Sequence, residues 1–190
     1  MTNFSVLYDA CVLYPAPLRD LLMNLAITDL YRAKWTNEIH REWIDGVLSN
    51  RNDLGRKFLE RTRDRMNMSV RDCLVENYQY LIPALRLPDS NDRHVLAAAI
   101  HSSSSVIVTY NLKDFPKDIL LKHGIEAQHP DEFLINLIDL SIDAVCMAVN
   151  RHRVSLKNPP KTIEEYFFSL EKQSLPNFVE KLREFSNLRI

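Results

Sequence analysis

Six acidic side chains and one amide fall where the pattern of the chain changes, and they are the first residues in the sequence placed to do chemistry. Asp9 closes the apolar run Phe4–Tyr8. Glu38 and Glu42 lie one helical turn apart behind Thr36. Asp89 and Asp92 open the alanine-rich stretch Arg93–His101. Asn111 and Asp114 follow the β-branched run Ser105–Thr109. Carboxylates gathered without basic partners repel one another and are tolerated where a hard divalent cation sits among them. Magnesium takes oxygen ligands, keeps several waters and bridges to phosphates, which is the logic of metal-assisted phosphodiester cleavage. Singly, each residue has a plainer role: Asp9 or Asp114 in a turn, Asp92 as a helix cap. Acids at several successive strand ends are much less expected by chance.

Other chemistries fit poorly. Only three glycines occur, with no GxxxxGK[ST] and no GxGxxG, so phosphate-cradling loops are excluded. A DxD phosphatase motif fails because position 11 is cysteine, and CX5R fails because the next arginine after Cys11 is Arg19. Cys11 therefore reads as packing. The six histidines lack metal-site spacing; His40 and His94 are candidates for touching substrate, with a surface role as the plainer reading. Tyr78, Tyr80, Trp35 and Trp43 are candidates for stacking on bases, although Trp43 shares a helical face with Ile39 and Val47 and reads as core.

The elements that must position these residues alternate in type. Strands are expected at Phe4–Tyr8, Ala33–Thr36, Ser105–Thr109 and Ile125–Ala127. Helices are expected after Pro15, after Thr36, over Asp53–Met68 (Leu54, Phe58, Leu59 and Thr62 inward), over 72–87 with breaks at Pro83 and Pro88, over Arg93–His101 and over Asp118–Lys122. Beyond Pro130 the pattern is all helical: Asp131–Val149, Thr162–Lys172 and Asn177–Phe185. This ordering predicts an α/β sandwich with a central parallel sheet over 1–130 and a helical extension over 131–190, packed on the core or on a partner. In such sheets ligands gather at the carboxyl ends of strands, where Asp9, Thr109, Asn111 and Asp114 fall.

Lys and Arg number 24 against 25 Asp and Glu, so the chain as a whole is not a polycation. Within 51–71, however, seven basic residues face three acids, and Arg61, Arg63 and Arg65 are candidate phosphate contacts; the plainer alternative is a solvated helix face. Three scattered cysteines, no apolar run near membrane length and no signal-peptide pattern lead to the expectation of a soluble cytoplasmic protein.

Four segments resemble the motifs of the PIN-domain family: Ser5–Leu13 (SVLYDACVL), Thr36–Glu42 (TNEIHRE), Asp89–Ala99 (DSNDRHVLAAA) and Val106–Phe115 (VIVTYNLKDF). Their order and spacing agree with that family over about residues 4–133. The tail, with Val149–Val154 (VNRHRV) and Lys157–Lys161 (KNPPK), is similar to a branch of VapC-type toxins from bacterial toxin–antitoxin pairs. The resemblance implies a Mg2+- or Mn2+-dependent ribonuclease, often dimeric, that is held inactive by a cognate antitoxin. It places Asp9, Glu42, Asp92, Asp114 and Asn111 in the catalytic set and Asp9, Asp92 and Asp114 on the metal, while the basic stretch sets Arg61, Arg63 and Arg65, with Thr109 at the strand end, toward the RNA. Alignment with the motifs favours Glu42 over Glu38 and Asp92 over Asp89. Asn111 stands where many relatives carry aspartate, and that departure leaves an alternative: a PIN-like binding module with weakened catalysis.

Overall fold

A computed structural model describes residues 4–189 of the protein. In chain order the elements are β1 (Ser5–Tyr8), α1 (Ala10–Leu13), α2 (Ala16–Ala26), β2 (Arg32–Lys34), α3 (Asn37–Asn50), α4 (Arg56–Ser69), α5 (Arg93–His101), β3 (Ser104–Val108), α6 (Lys117–Leu120), β4 (Glu126–Gln128), α7 (Pro130–Leu140), α8 (Ile142–Ser155), α9 (Ile163–Glu171) and α10 (Pro176–Arg189). They form two compact units that do not follow chain order: Met1–Tyr14 with Tyr31–His129, and Pro15–Leu30 with Pro130–Ile190. No helix among the described residues is long and apolar enough to cross a membrane.

The first unit is built on the expected parallel sheet, in the order β2-β1-β3-β4, with Val6 opposite both Ala33 and Val106 and Ile107 opposite Ala127. The inner strands β1 and β3 are nearly continuous runs of β-branched and apolar residues, as strands covered on both faces must be. Val6, Leu7, Tyr8, Ile107 and Val108 are buried. The edge strands carry Arg32, Lys34 and Glu126, charges that discourage pairing with a further strand. The second strand ends before the expected Thr36 because Trp35 forms a lone parallel bridge with Leu74, and the Thr36 hydroxyl caps α3 by accepting from the Ile39 N–H at 3.0 Å. Ile39, Trp43, Ile44 and Val47 form the buried stripe of α3.

Three expectations need correction here. Residues 72–87 are not a helix broken by prolines: an extended stretch around Leu74 is followed by a 3-10 turn over Gln79–Ala84. In α4 only Leu59 and Met66 are buried, while Phe58 is 52% exposed, since a helix this charged supports only a narrow apolar stripe. Asp131–Val149 is two helices, because Ser141 adopts extended backbone and its hydroxyl accepts from the Ala144 N–H at 3.4 Å to start α8.

The second unit joins α2 to α7–α10. Leu18, Leu21, Leu22 and Leu25 of α2 are all fully buried, and α2 packs with α8 and α9. Asp131 on α7 caps the start of α10, accepting from the Phe178 N–H at 2.8 Å and the Asn177 side-chain amide at 2.7 Å. Thr162 and Glu165 form a reciprocal capping box at the start of α9.

Candidate active site

Asp9 is the first residue beyond β1, and its backbone N–H extends the ladder to the Val108 carbonyl (3.1 Å). Its carboxylate is 5% exposed and firmly held. Oδ1 accepts from the Ala10 N–H at 2.6 Å, while Oδ2 accepts from the Thr109 hydroxyl at 2.7 Å and the Cys11 thiol at 3.0 Å. Burial and the Asp9 charge push the Cys11 thiol up to about 12, so this sulfur is a hydrogen-bond donor and no nucleophile. The Thr109 hydroxyl also accepts from the Asn111 N–H at 2.9 Å, tying the turn after β3 to the end of β1. Thr109, expected among the substrate contacts, is instead fully buried with its donor committed to Asp9.

The two aspartates at the start of α5 divide their roles. Asp89 is the cap, with Oδ1 accepting from the Asn91 N–H at 2.8 Å. The Asp92 side chain makes no capping bond. Its carboxyl is pushed up to about 6, first by burial and then by the charges of Asp9, Asp89 and Asp114, against a smaller pull from His94. The charges of Asp9 and Asp114 therefore reach Asp92. Asp114 closes a 3-10 turn, its N–H donating to the Asn111 carbonyl at 3.0 Å, and Asn111 itself is exposed.

His94, read from sequence as a surface residue, is 6% exposed, because it shares the inward face of α5 with Ala97 and Ala98. Its Nε2 lies 2.9 Å from Glu42 Oε1 and its Nδ1 3.7 Å from Glu38 Oε2. Burial alone would push the imidazole down, but the hydrogen bond and charge of Glu42, followed by the charges of Glu38 and Asp9, raise it above the ordinary histidine value. Glu38 is held further by the Tyr78 hydroxyl (3.1 Å) and by Arg41 (3.0 Å). A cleft of about 470 Å3 beside it is lined by Asn37, Arg41, Glu76, Asn77 and Gln79.

His40 is likewise buried, between Trp43 and Asn67. Of the proposed stacking residues, Trp35 is fully buried, stacked on Tyr8 and bonded to Asn67 (2.7 Å), and Tyr78 is buried. Tyr80 is 69% exposed. Arg61, Arg63 and Arg65 lie on α4. Arg61 and Arg65 are exposed one turn apart, and Arg63 pairs with Asp64; among the described residues no hydrogen bond or ion pair joins them to Asp9, Glu42, Asp92 or Asp114. Sequence reading set Glu38 and His94 aside. The missed signal was the spacing of His94 to the buried alanines of its own helix.

Residues 130–184 match the family model described as the VapC50 C-terminal domain. The chain is also 41% identical over 92 residues to a Mycobacterium tuberculosis protein named "Putative ribonuclease VapC50", a stretch that is 48% of this chain and 54% of the relative. The chain thus spans about half the length of the curated relative it matches. No solved structure matches it. Both matches show likeness to VapC50 proteins, and the four-stranded parallel sheet flanked by helices is consistent with a PIN-like fold.

Proposed function

We propose that the chain is a divalent-cation-dependent endoribonuclease, the toxin of a toxin–antitoxin pair, in which Asp9, Asp92 and Asp114 hold Mg2+ or Mn2+ and Glu42 and Asn111 complete the catalytic set. The observation that carries this reading is how the strand ends meet: Asp9 follows β1 and is tied through the Thr109 hydroxyl to the turn of Asn111 and Asp114, while Asp92, whose side chain caps nothing, stands at the start of α5. Such a set fits a small, hard cation that takes oxygen ligands. When bound, an ion of this kind supplies Lewis acidity at a phosphoryl oxygen and lowers the pKa of a water.

The chain's own residues do the rest. Thr109, Cys11 and the Ala10 N–H fix the rotamer of Asp9, so that its geometry is set before substrate arrives. Glu42, oriented by the His94 N–H, is the proton acceptor of the set. The Asn111 amide offers an oxygen without charge, which leaves Asp114 as the charged residue of its turn. Arg61, Arg63 and Arg65 meet the RNA phosphates. The same reading implies a cognate antitoxin as protein partner, a possible second copy of the chain, and cytoplasmic RNA as substrate.

The test is cleavage of single-stranded RNA against Mg2+ concentration. Cleavage is expected to vanish in EDTA and to fall by more than about 100-fold in Asp92→Asn, since even residues behind the ligands are worth 10- to 100-fold. Asp114→Asn is expected to lower it further than Asn111→Ala. Cleavage that survives both EDTA and Asp92→Asn overturns the proposal. Metal-independent RNA binding without cleavage favours instead the binding module to which the neutral Asn111 points.

A further inference from the structure

The second unit carries a run of charge that the carboxylate chemistry leaves unused. From Asn150 to Lys161 there are four bases, Arg151, Arg153, Lys157 and Lys161, and no acid, in a chain whose formal charge is -1. Arg153, in the last turn of α8, donates through Nη2 to Asn150 Oδ1 at 3.1 Å and through Nη1 to the Lys161 carbonyl at 3.4 Å. A lone antiparallel bridge joins Lys157 to Pro160. The loop after α8 is thereby folded back on the end of the helix, and Arg153 is the residue that pins it. The negative end of the helix accounts for Arg153, but Lys157 and Lys161 lie beyond α8 and Arg151 lies a turn before its end. Arg151 and Lys157 are exposed, and among the described residues neither they nor Lys161 forms an ion pair. Other charges of the unit are matched: Lys181 pairs with Asp139, and Arg183 with Glu164 at 2.5 Å. Glu165, which the charge of Lys161 also reaches, is held first by the Thr162 N–H at 2.8 Å and hydroxyl at 3.0 Å.

We propose that Arg151, Lys157 and Lys161, gathered by Arg153, form a binding surface for the phosphate backbone of single-stranded RNA on the second unit, in addition to the arginines of α4. Cations not matched by carboxylates are the ones that can neutralise phosphates and release the counter-ions condensed on a nucleic acid. The surface among them is not purely ionic. Val154 is 59% exposed, and Asn158, Pro159 and Pro160 are exposed as well, so apolar and amide groups alternate with the charges. That mixture suits a single strand, whose sugars and unstacked bases lie beside its phosphates. The surface holds the strand and takes no part in bond cleavage. The choice of RNA as the polyanion rests on the nuclease reading; the cationic surface itself does not.

The test uses the full chain in EDTA, where no metal-dependent cleavage consumes the probe. Fluorescein-labelled single-stranded RNA is followed by anisotropy from low to high salt. Arg151→Gln/Lys157→Gln is expected to flatten the slope of log affinity against log salt by about 1.4, two contacts at ~0.7 each, and Lys161→Gln by about 0.7 more. Its thermal melt is expected to match the wild type, since both side chains are exposed. Lys172→Gln/Lys181→Gln removes the same charge elsewhere on the unit and is expected to leave the slope in place. A wild-type slope in the first variant, equal flattening by the control pair, or no RNA binding by the wild type overturns the surface. Polyglutamate that competes as well as unlabelled RNA assigns the surface to an acidic protein and overturns it too. Mg2+-dependent cleavage is measured separately: a chain that binds RNA with these slopes but does not cut it supports the surface and refutes only the nuclease reading.

Discussion

One hydroxyl, that of Thr109, joins the two inner strands at the point where the chemistry is proposed. It donates to Asp9 Oδ2 and accepts from the Asn111 N–H, and it is fully buried. Thr109→Val keeps the shape and leaves a carboxylate oxygen and a backbone N–H with one partner fewer. It is expected to cost about 1–3 kcal/mol in chemical denaturation, while Thr109→Ser stays near wild type. At this scale the sequence was informative about where Asp9, Asp92, Asn111 and Asp114 stand on their elements, since a charged or amide residue interrupts an apolar strand or helix pattern at each of those places. It was uninformative about the pairing of His94 with Glu38 and Glu42. Those residues meet across two helices separated by some fifty positions, and nothing local to either helix encodes the contact.

Among the elements, α4 shows how charge and burial compete. Its buried stripe is only Leu59 and Met66, and Arg61 and Arg65 stand exposed one turn apart. Replacing both with Gln is expected to weaken RNA binding and to flatten the slope of log affinity against log salt by about 1.4, two lost phosphate contacts at ~0.7 each, with the melting temperature little changed. An unchanged slope makes the stretch a solvated face. The inward place given to Phe58 failed because apolar residue type was weighted over the period of the stripe. The break in the 131–149 helix was legible after all: Ser141 followed by Asp143 is a start signal in the middle of an apolar run. Residues 72–87 misled because their leucines and tyrosines recur at helical intervals, while tertiary bridging at Leu74 and the prolines decide the backbone.

For the molecule as a whole, a separate pH-dependent contribution to stability should arise within the second unit, at His152 of α8. It is 1% exposed, with Nδ1 bonded to the Tyr166 hydroxyl at 2.9 Å and Nε2 buried without a partner. Burial, and secondarily the charge of Lys161, lowers it from 6.5 to about 4. A folded value below the unfolded one means that the unfolded chain takes up this proton first as pH falls. Stability is therefore full at neutral pH and is lost as pH drops from about 6.5 through about 4, by on the order of 3 kcal/mol in all. In urea unfolding, the stability difference between wild type and His152→Phe is expected to shift by most of that amount between pH 7 and pH 4.5, since the opposing contribution of Asp92, whose carboxyl is raised to about 6, is common to both chains. The grouping of α2 with α8 and α9 was not legible at all, since four leucines at helical spacing state that a helix is buried and not against what. That grouping also has a meaning in time. Some 120 residues separate α2 from α8. At ~5–20 residues per second, a ribosome needs roughly 6–25 s to make them. For an interval of that order the leucine stripe of α2 waits for the helices that cover it, which makes the young chain a client for holding chaperones and delays completion of the second unit until its later helices have been made.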